Sequence, residues 1–163
     1  MSGAGSPNHP DSPIIDGDGL KITIVAGRWH ETIANGLLAG AHRVLDASGA
    51  DITEVRVPGS FELPLACKAA LEAGADAVVA LGVIIRGGTP HFDFVANAAT
   101  DGLTRVALDT GKPVGFGVLT LDDELQGIDR AGLPGSKEDK GAEAASAALE
   151  MAVLLRSLRS GTR

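Results

Sequence analysis

Residues 77–85, AVVALGVII, form an apolar run that continues into RGGTPHFDF at residues 86–94. The run is rich in β-branched side chains and far shorter than the ~20 residues that span a bilayer, so we predict a buried strand. Three shorter runs of the same kind occur at 21–26, 51–57 and 113–120, with the sequences KITIVA, DITEVRV and PVGFGVLT. The chain therefore contains four predicted strands.

The segments between these strands have apolar residues three and four positions apart, which is typical of helices that cover a core. The stripes are Ile33, Leu37, Ala41, Val44 and Leu45; Leu65, Ala69, Leu71 and Ala73; Val95, Ala98, Ala99, Gly102, Leu103 and Val106; and Ala142, Ala145, Leu149, Ala152, Val153 and Leu155. A short helix is also predicted from about Asp122 to Ala131, with Asp122 as its N-cap and Gly132 as its stop. Alternating strands and helices predict an α/β fold in which a four-stranded parallel sheet has helices on both faces.

The chain is 163 residues long, which suits one domain. Residues 20–158 are assigned to that domain, with a flexible tail at 1–19 that is rich in Gly, Ser, Pro and Asp, and a second tail at 159–163. A net charge of -7 argues against nucleic acid or an anionic membrane as a partner, because both require clustered Lys and Arg. The chain starts with no signal-peptide pattern, and its single cysteine, Cys67, lies in an apolar stretch. We therefore expect a buried, inert thiol and a cytoplasmic location.

Aromatic residues are scarce. Hydrophobic residues make up 44% of the chain, but the aromatic ones are only Trp29, Phe61, Phe92, Phe94 and Phe116. The core must therefore be built from Val, Ile, Leu and Ala. In sheets of this kind, ligands bind outside the carboxyl ends of the strands, and we predict that all five rings lie on or beside those ends. Core packing is one interpretation of the rings. Their shared location favours the other, a pocket for a flat ligand on which they stack.

The segment after the third predicted strand has the features of an anion site. Gly87 and Gly88 allow close backbone approach, Thr89 is predicted to cap the next helix, and Pro90 fits its first turn. Exposed N–H groups at a helix start attract anions, although a Gly-Gly turn alone is a weak signal. His91, one turn further, is either a surface or capping histidine or a general acid/base beside the anion.

Other chemistries are poorly supported. The histidines lie on different elements and no H-x-x-x-H or C-x-x-C pattern occurs, so no metal site is predicted. A serine hydrolase is disfavoured because G-x-S-x-G is absent. Arg130 and Lys140 lie near helix ends. Arg130 is interpreted either as a complement to the helix dipole or as an anion ligand, whereas Lys140 at a helix start opposes the dipole, which favours contact with an anionic ligand.

Five stretches together resemble the lumazine synthase family, and they are spread over residues 20–158. They are VPGSFELP (57–64), ALGVIIRGGTPHFDFV (80–95), GVLT (117–120), DRAG (129–132) and DKGAEAA (139–145). The resemblance implies a flavodoxin-like three-layer sandwich and an enzyme of riboflavin biosynthesis that needs no cofactor or metal. The implied reaction condenses 5-amino-6-(D-ribitylamino)uracil with 3,4-dihydroxy-2-butanone 4-phosphate, giving 6,7-dimethyl-8-ribityllumazine, phosphate and water.

The resemblance also implies which residues hold the pyrimidine substrate. Trp29 is similar to the ring that stacks on the pyrimidine, and Val83 and Ile84 are similar to residues whose backbone contacts the uracil edge. The ribityl chain is implied to lie against Ser60, Phe61 and Glu62, with Glu62 accepting bonds from its hydroxyls.

The phosphate side of the implied site uses different residues. Gly87, Gly88 and Thr89 resemble the phosphate loop, Arg130 its charged clamp, and His91 the proton-transfer residue. Phe116, Arg130 and Lys140 are implied to come from the adjacent subunit of a pentamer, and riboflavin synthase is an implied candidate partner. Ser60 and Phe116 depart from the usual Ala and from the Asn of some members. A non-catalytic flavin or lumazine carrier, an archaeal-type riboflavin synthase and a flavodoxin-like electron carrier are the alternatives.

Overall fold

The structure is a computed structural model that describes residues 13–161, so the first twelve residues of the predicted N-terminal tail and residues 162–163 lie outside the described part. The elements are β1 (Lys21–Gly27), α1 (Glu31–Ser48), β2 (Asp51–Val57), α2 (Leu63–Glu72), β3 (Ala77–Ile85), α3 (His91–Thr110), β4 (Val114–Leu121), α4 (Glu124–Ile128) and α5 (Lys140–Ser160). One turn of 3-10 helix, Ser60–Glu62, precedes α2. All four predicted strands are confirmed, with ends that differ by at most one residue.

The four strands form one parallel sheet in the order β2-β1-β3-β4. The chain moves outward from β1 to β2, then returns across β1 to β3 and continues to β4, so the winding direction reverses between β1 and β3. At such a reversal the two following loops separate and leave a crevice at the carboxyl ends of the strands. The confirmed α/β sandwich therefore predicts the ligand site beside β1 and β3.

Two apolar cores lie on opposite faces of this sheet. One packs α1 and α5 against β1, β3 and β4, and the other packs α2 and α3 against the opposite face. Within residues 13–161 the buried hydrophobic side chains include no Phe or Trp, which confirms the prediction of an aliphatic core. Cys67 is fully buried, and burial raises the pKa of its thiol to about 12, so the expected inert thiol is also confirmed.

The buried face of α2 differs from the predicted one. Leu65 is 77% exposed, whereas Leu63, Cys67 and Leu71 are buried. These three residues are four positions apart and share one face of the helix, while Leu65 lies two positions further on and points away. The predicted stripe through Leu65 and Ala69 is therefore wrong.

The short helix α4 is also shorter than predicted. Asp123, not Asp122, is the N-cap, because its carboxylate accepts a hydrogen bond from the N–H of Gln126 at 2.9 Å. The carboxylate of Asp122 instead accepts from Arg86 Nε at 3.1 Å. The helix ends at Ile128, so Gly132, whose φ is +66°, is not its stop but part of the connection that follows.

At both ends, the folded part of the chain continues beyond the predicted domain of residues 20–158. Ile15 contacts the core of α1 and α5, and the N–H of Gly17 donates to Ser48 O at 2.9 Å, so this part of the predicted tail lies against the domain. Helix α5 continues through Ser160, and residues 159 and 160 of the second predicted tail are therefore helical.

The connection between α4 and α5 packs closely on α1. A Cβ on Gly141 would lie 1.9 Å from Leu37 O, so only a glycine allows α5 to approach α1 this closely. The same approach places Asp139, the N-cap of α5, beside α1, where its carboxylate also bonds to Arg43.

Candidate active site

A pocket of about 530 Å³ opens at the carboxyl ends of β1 and β3, where the winding of the sheet reverses. Its volume is in the range of small-molecule sites. From the predicted set it brings together the following residues: Trp29, Ser60, Phe61, Glu62, Val83, Ile84, Gly87, Thr89 and His91. These residues come from four separate stretches of sequence, so the fold assembles most of the predicted site in one place.

One wall of the pocket is the turn of 3-10 helix between β2 and α2. The N–H of Gly59 donates to Glu62 Oε2 at 2.9 Å, which holds the Glu62 side chain back over the turn. A Cβ on Gly59 would lie 3.5 Å from that carboxylate and 3.9 Å from the indole of Trp29. The carboxylate and the indole are therefore neighbours on the pocket rim.

Ser60 occupies the floor of the same turn. The residue is 6% exposed, and its Oγ is buried without a hydrogen-bond partner among the described residues. The hydroxyl points toward β3, since a Cβ on Gly82 would lie 2.5 Å from it. A buried hydroxyl without a partner costs free energy, so this side chain is not optimised for stability.

The opposite wall is the segment from β3 to α3. The N–H groups of Gly87, Gly88 and Thr89 donate to no group of the described residues, and a Cβ on either glycine would meet open space. Free N–H groups ahead of a helix suit an anion. Gly88 itself does not line the pocket.

Helix α3 begins one residue later than expected. His91 is its first residue and Pro90 is the N-cap, so the prediction that Thr89 caps the helix and Pro90 lies in its first turn is wrong. Thr89 Oγ1 still accepts a long hydrogen bond, 3.4 Å, from the N–H of His91. The imidazole of His91 is exposed and faces the pocket beside the free N–H groups.

The remaining predicted residues lie elsewhere in the chain. Phe116 lies in the interior of β4, where it pairs with Ala80 of β3, and the residue is 47% exposed. The expectation that all five rings lie on or beside the carboxyl ends is therefore wrong for Phe116. Arg130 follows α4 and donates to Gln126 O at 2.9 Å, so within one chain it stabilises the end of that helix.

Lys140 is confirmed as the first residue of a helix, but its ammonium is engaged by two carboxylates. It lies 2.7 Å from Glu138 Oε2 and 2.7 Å from Glu143 Oε2, and its side chain is 12% exposed. Burial by itself lowers the pKa of Lys140, but hydrogen bonds and charge from Glu138 and Glu143 more than offset burial, so the pKa lies above its ordinary value. These carboxylates explain how a cation is tolerated at the start of α5.

Sequence reasoning missed several residues of the pocket, of which His30 and Phe92 are the most informative. His30 precedes α1 with φ of 56°, the only non-glycine positive φ within residues 13–161, and its side chain lines the pocket. Phe92 is one of the five rings predicted beside the carboxyl ends but has no assigned role in the predicted site, and it both packs on the core of α2 and α3 and lines the pocket. The sequence signal that could have identified them is that each directly follows a predicted site residue, His30 after Trp29 and Phe92 after His91.

Metal and membrane features were also sought within residues 13–161. No group of three or more His, Cys, Asp or Glu side chains in this part of the chain is arranged to hold a metal ion. None of its helices is long and apolar enough to cross a membrane.

The fold and the pocket define a class: α/β sandwiches of flavodoxin-like form with a pocket at the carboxyl edge of a four-stranded parallel sheet. The model of the 6,7-dimethyl-8-ribityllumazine synthase family matches residues 19–156. A protein of that name from Leifsonia xyli subsp. xyli is 76% identical over 98% of this chain and 99% of its own. Another from Clavibacter michiganensis subsp. michiganensis is 69% identical over the same shares of the two chains. The chain belongs to the 6,7-dimethyl-8-ribityllumazine synthase family.

Proposed function

We propose that the pocket beside β1 and β3 is the active site of this riboflavin-biosynthesis enzyme. There the chain condenses 5-amino-6-(D-ribitylamino)uracil with 3,4-dihydroxy-2-butanone 4-phosphate to form 6,7-dimethyl-8-ribityllumazine. The observation that carries the proposal is that one pocket joins an exposed indole, a carboxylate, free backbone N–H groups and an imidazole. A ring, a polyol, a phosphate and a series of proton transfers require these four kinds of group.

The pyrimidine substrate fits the part of the pocket formed by β1 and the 3-10 turn. Trp29 is 67% exposed, so its face is open for stacking on the pyrimidine ring. The backbone of Val83 and Ile84, at the end of β3, supplies polar groups for the uracil edge. Glu62 Oε2 already accepts the N–H of Gly59, so the carboxylate is oriented, and its remaining lone pairs accept ribityl hydroxyls.

The phosphorylated ketone fits the part formed by residues 87–91. Its phosphate accepts bonds from the N–H groups of Gly87, Gly88 and Thr89, which have no partner in the described chain. The amine of the first substrate adds to the ketone, water leaves to give an imine, phosphate is eliminated, and the second amine closes the ring on the remaining carbonyl with loss of a second water. His91 moves protons in these steps, and binding both substrates in one pocket supplies much of the acceleration.

The phosphate also needs a cation, and no Lys or Arg of residues 13–161 lines the pocket. We therefore infer that Arg130 and Lys140, with Phe116, reach the site from an adjacent subunit of a pentamer, where the planar fork of Arg130 suits phosphate oxygens. A cytoplasmic location agrees with the single buried cysteine, and riboflavin synthase is a partner that would consume the product.

The test is to mix the purified protein with both substrates and to follow the absorbance and fluorescence of the lumazine. Product formation is expected, and no product at saturating substrates would refute the proposed reaction; binding of the pyrimidine without product would favour a carrier. His91→Ala is expected to lower kcat about a hundredfold and to leave measurable turnover, because proximity still acts. A variant that binds both substrates yet has no activity would contradict this division of roles.

A further inference from the structure

Arg86 lies between β3 and the proposed phosphate loop, and none of the roles above uses it. We propose that Arg86 is a positioning residue that joins the two ends of the segment 87–90 and so holds the free N–H groups and His91 in place for the phosphorylated ketone. The inference rests on the proposed function of the pocket and extends it to a residue that does not itself line the pocket.

The contacts of Arg86 span the whole segment. Its N–H donates to Leu121 O at 2.8 Å, which fixes the end of β3 against the end of β4. Its guanidinium carbon lies 4.2 Å from the centre of the Phe92 ring, and Nη1 lies 3.7 Å from Asp93 Oδ1. Because Phe92 and Asp93 directly follow His91, the side chain crosses from the start of the loop to the first turn of α3.

The contacts of Arg86 at both ends of the segment matter because packing does not restrain residues 87–90. Gly87 and Gly88 are exposed, and the positions of their missing side chains face open space. Adjacent glycines have the largest backbone freedom, which must be lost when the N–H groups converge on a phosphate. A contact that restrains both ends lowers this cost before the substrate binds.

The charges show why Arg86 acts through its neighbours and is not itself the phosphate ligand. Its Nε lies 3.1 Å from Asp122 Oδ1, so the one cation is shared between Asp122 and Asp93. Without the guanidinium, the negative charges of the two carboxylates would not be neutralised and would repel an incoming phosphate. A planar guanidinium can stack on Phe92 and bond to both carboxylates at once, whereas a lysine ammonium cannot.

The test compares Arg86→Met and Arg86→Lys with Arg105→Met as the matched control. Arg105 Nε lies 3.1 Å from Asp109 Oδ2 on the exposed side of α3, so its replacement breaks an equivalent ion pair outside the pocket. Arg86→Met is expected to raise the KM of the phosphorylated ketone and the inhibition constant of inorganic phosphate about tenfold. The KM of the pyrimidine substrate is expected to rise by less than about twofold. Arg86→Lys is expected to lie between the wild type and Arg86→Met, and the control to match the wild type.

Amide hydrogen exchange of the same variants provides a readout that needs no turnover. The expected result in Arg86→Met is faster exchange confined to the bonded N–H groups at the end of the segment, those of His91 and Asp93, which donate to Thr89 Oγ1 and Pro90 O. Unchanged exchange together with an unchanged KM for the ketone would overturn the proposal, as would an equal rise in both KM values. If the wild type forms no lumazine but the exchange result holds, the proposed reaction fails while the restraint of the loop by Arg86 stands.

Discussion

Two segments, one between β3 and α3 and the other between α4 and α5, differ in how they are restrained. In residues 86–91, the glycines face open space and three successive N–H groups have no partner in the described chain. In residues 129–140, the carbonyl of Asp129 accepts from the N–H groups of Lys137 and Glu138, and Arg130 O accepts from Lys140. The first segment therefore has unused bonding capacity for a ligand, whereas the second is rigid before any ligand arrives.

The segments also differ in charge. The pocket beside residues 86–91 contains no Lys or Arg of the described residues, whereas the second segment contains Arg130 and Lys140 on a fixed backbone. A site that binds a phosphate needs both properties. The contrast supports the proposal that one subunit supplies the pocket and the rigid segment of another supplies the cations.

The strongest test of this division is subunit complementation. His91→Ala and Arg130→Ala are each expected to lower kcat/KM about a hundredfold or more, because one removes the proton-transfer group and the other a charged phosphate ligand. When the two variants are unfolded and reassembled together in equal amounts, about a quarter of the interfaces should pair an intact His91 with an intact Arg130. Activity near that fraction of wild type is expected in a turnover assay.

A site contained in one chain would show no such recovery. The control is to reassemble each variant alone, which should give only its own residual activity. Mass spectrometry of the intact assembly would show in the same experiment whether five subunits are present and whether the two variants have mixed.

The difference in packing predicts a large loss of stability on adding a methyl group at Gly141, directly after the second segment, and almost none at Gly88. Gly141→Ala forces a Cβ against Leu37 O, and we expect it to lower the free energy of unfolding by about 2–3 kcal/mol despite the better helix propensity of alanine. Gly88→Ala, in open space, is expected to change it by less than about 0.5 kcal/mol. Urea denaturation of both variants measures the difference, and equal values would contradict the contrast between the two segments.

The smallest expected effect concerns the floor of the pocket. Ser60→Ala removes a buried hydroxyl that has no partner among the described residues, so the free energy of unfolding should stay constant or rise by up to about 1 kcal/mol. Substrate KM values should not change if only the backbone of this residue contacts the ligand. A clear loss of stability in urea denaturation would show that the hydroxyl has a bonding partner in the assembled enzyme.

Much of the fold followed from local patterns. The four strands were predicted to within one residue because buried parallel strands are short, apolar and bounded by polar turns. Helices were predicted less accurately at their ends. The face of α2 was placed on Leu65 because Leu and Ala at nearby spacings fit two faces of a short helix, and only contact with the sheet selects one of them.

The candidate site was predictable where its residues follow a strand directly. Trp29 and His91 lie after β1 and β3, and topology alone brings the carboxyl ends of neighbouring parallel strands together. Phe116 lies in the interior of both the predicted strand 113–120 and β4, so the strand bounds themselves did not support a position beside the carboxyl end. Whether Arg130 and Lys140 are engaged by their own chain could not be predicted, since helix-end cations have similar local sequences in either case.

The sequence by itself therefore determined the alternation of strands and helices, the aliphatic core, the edge of the sheet at which the pocket opens, and the family. Only the tertiary structure decided that Asp123 and not Asp122 caps α4, that Asp122 instead contacts Arg86, and that Arg86 also reaches Phe92. The physical reason is the distance along the chain over which each kind of interaction acts. Periodicity and turn chemistry act over a few residues, but the contacts of Arg86 depend on the register between β3 and β4, which is set by the packing of the whole sheet.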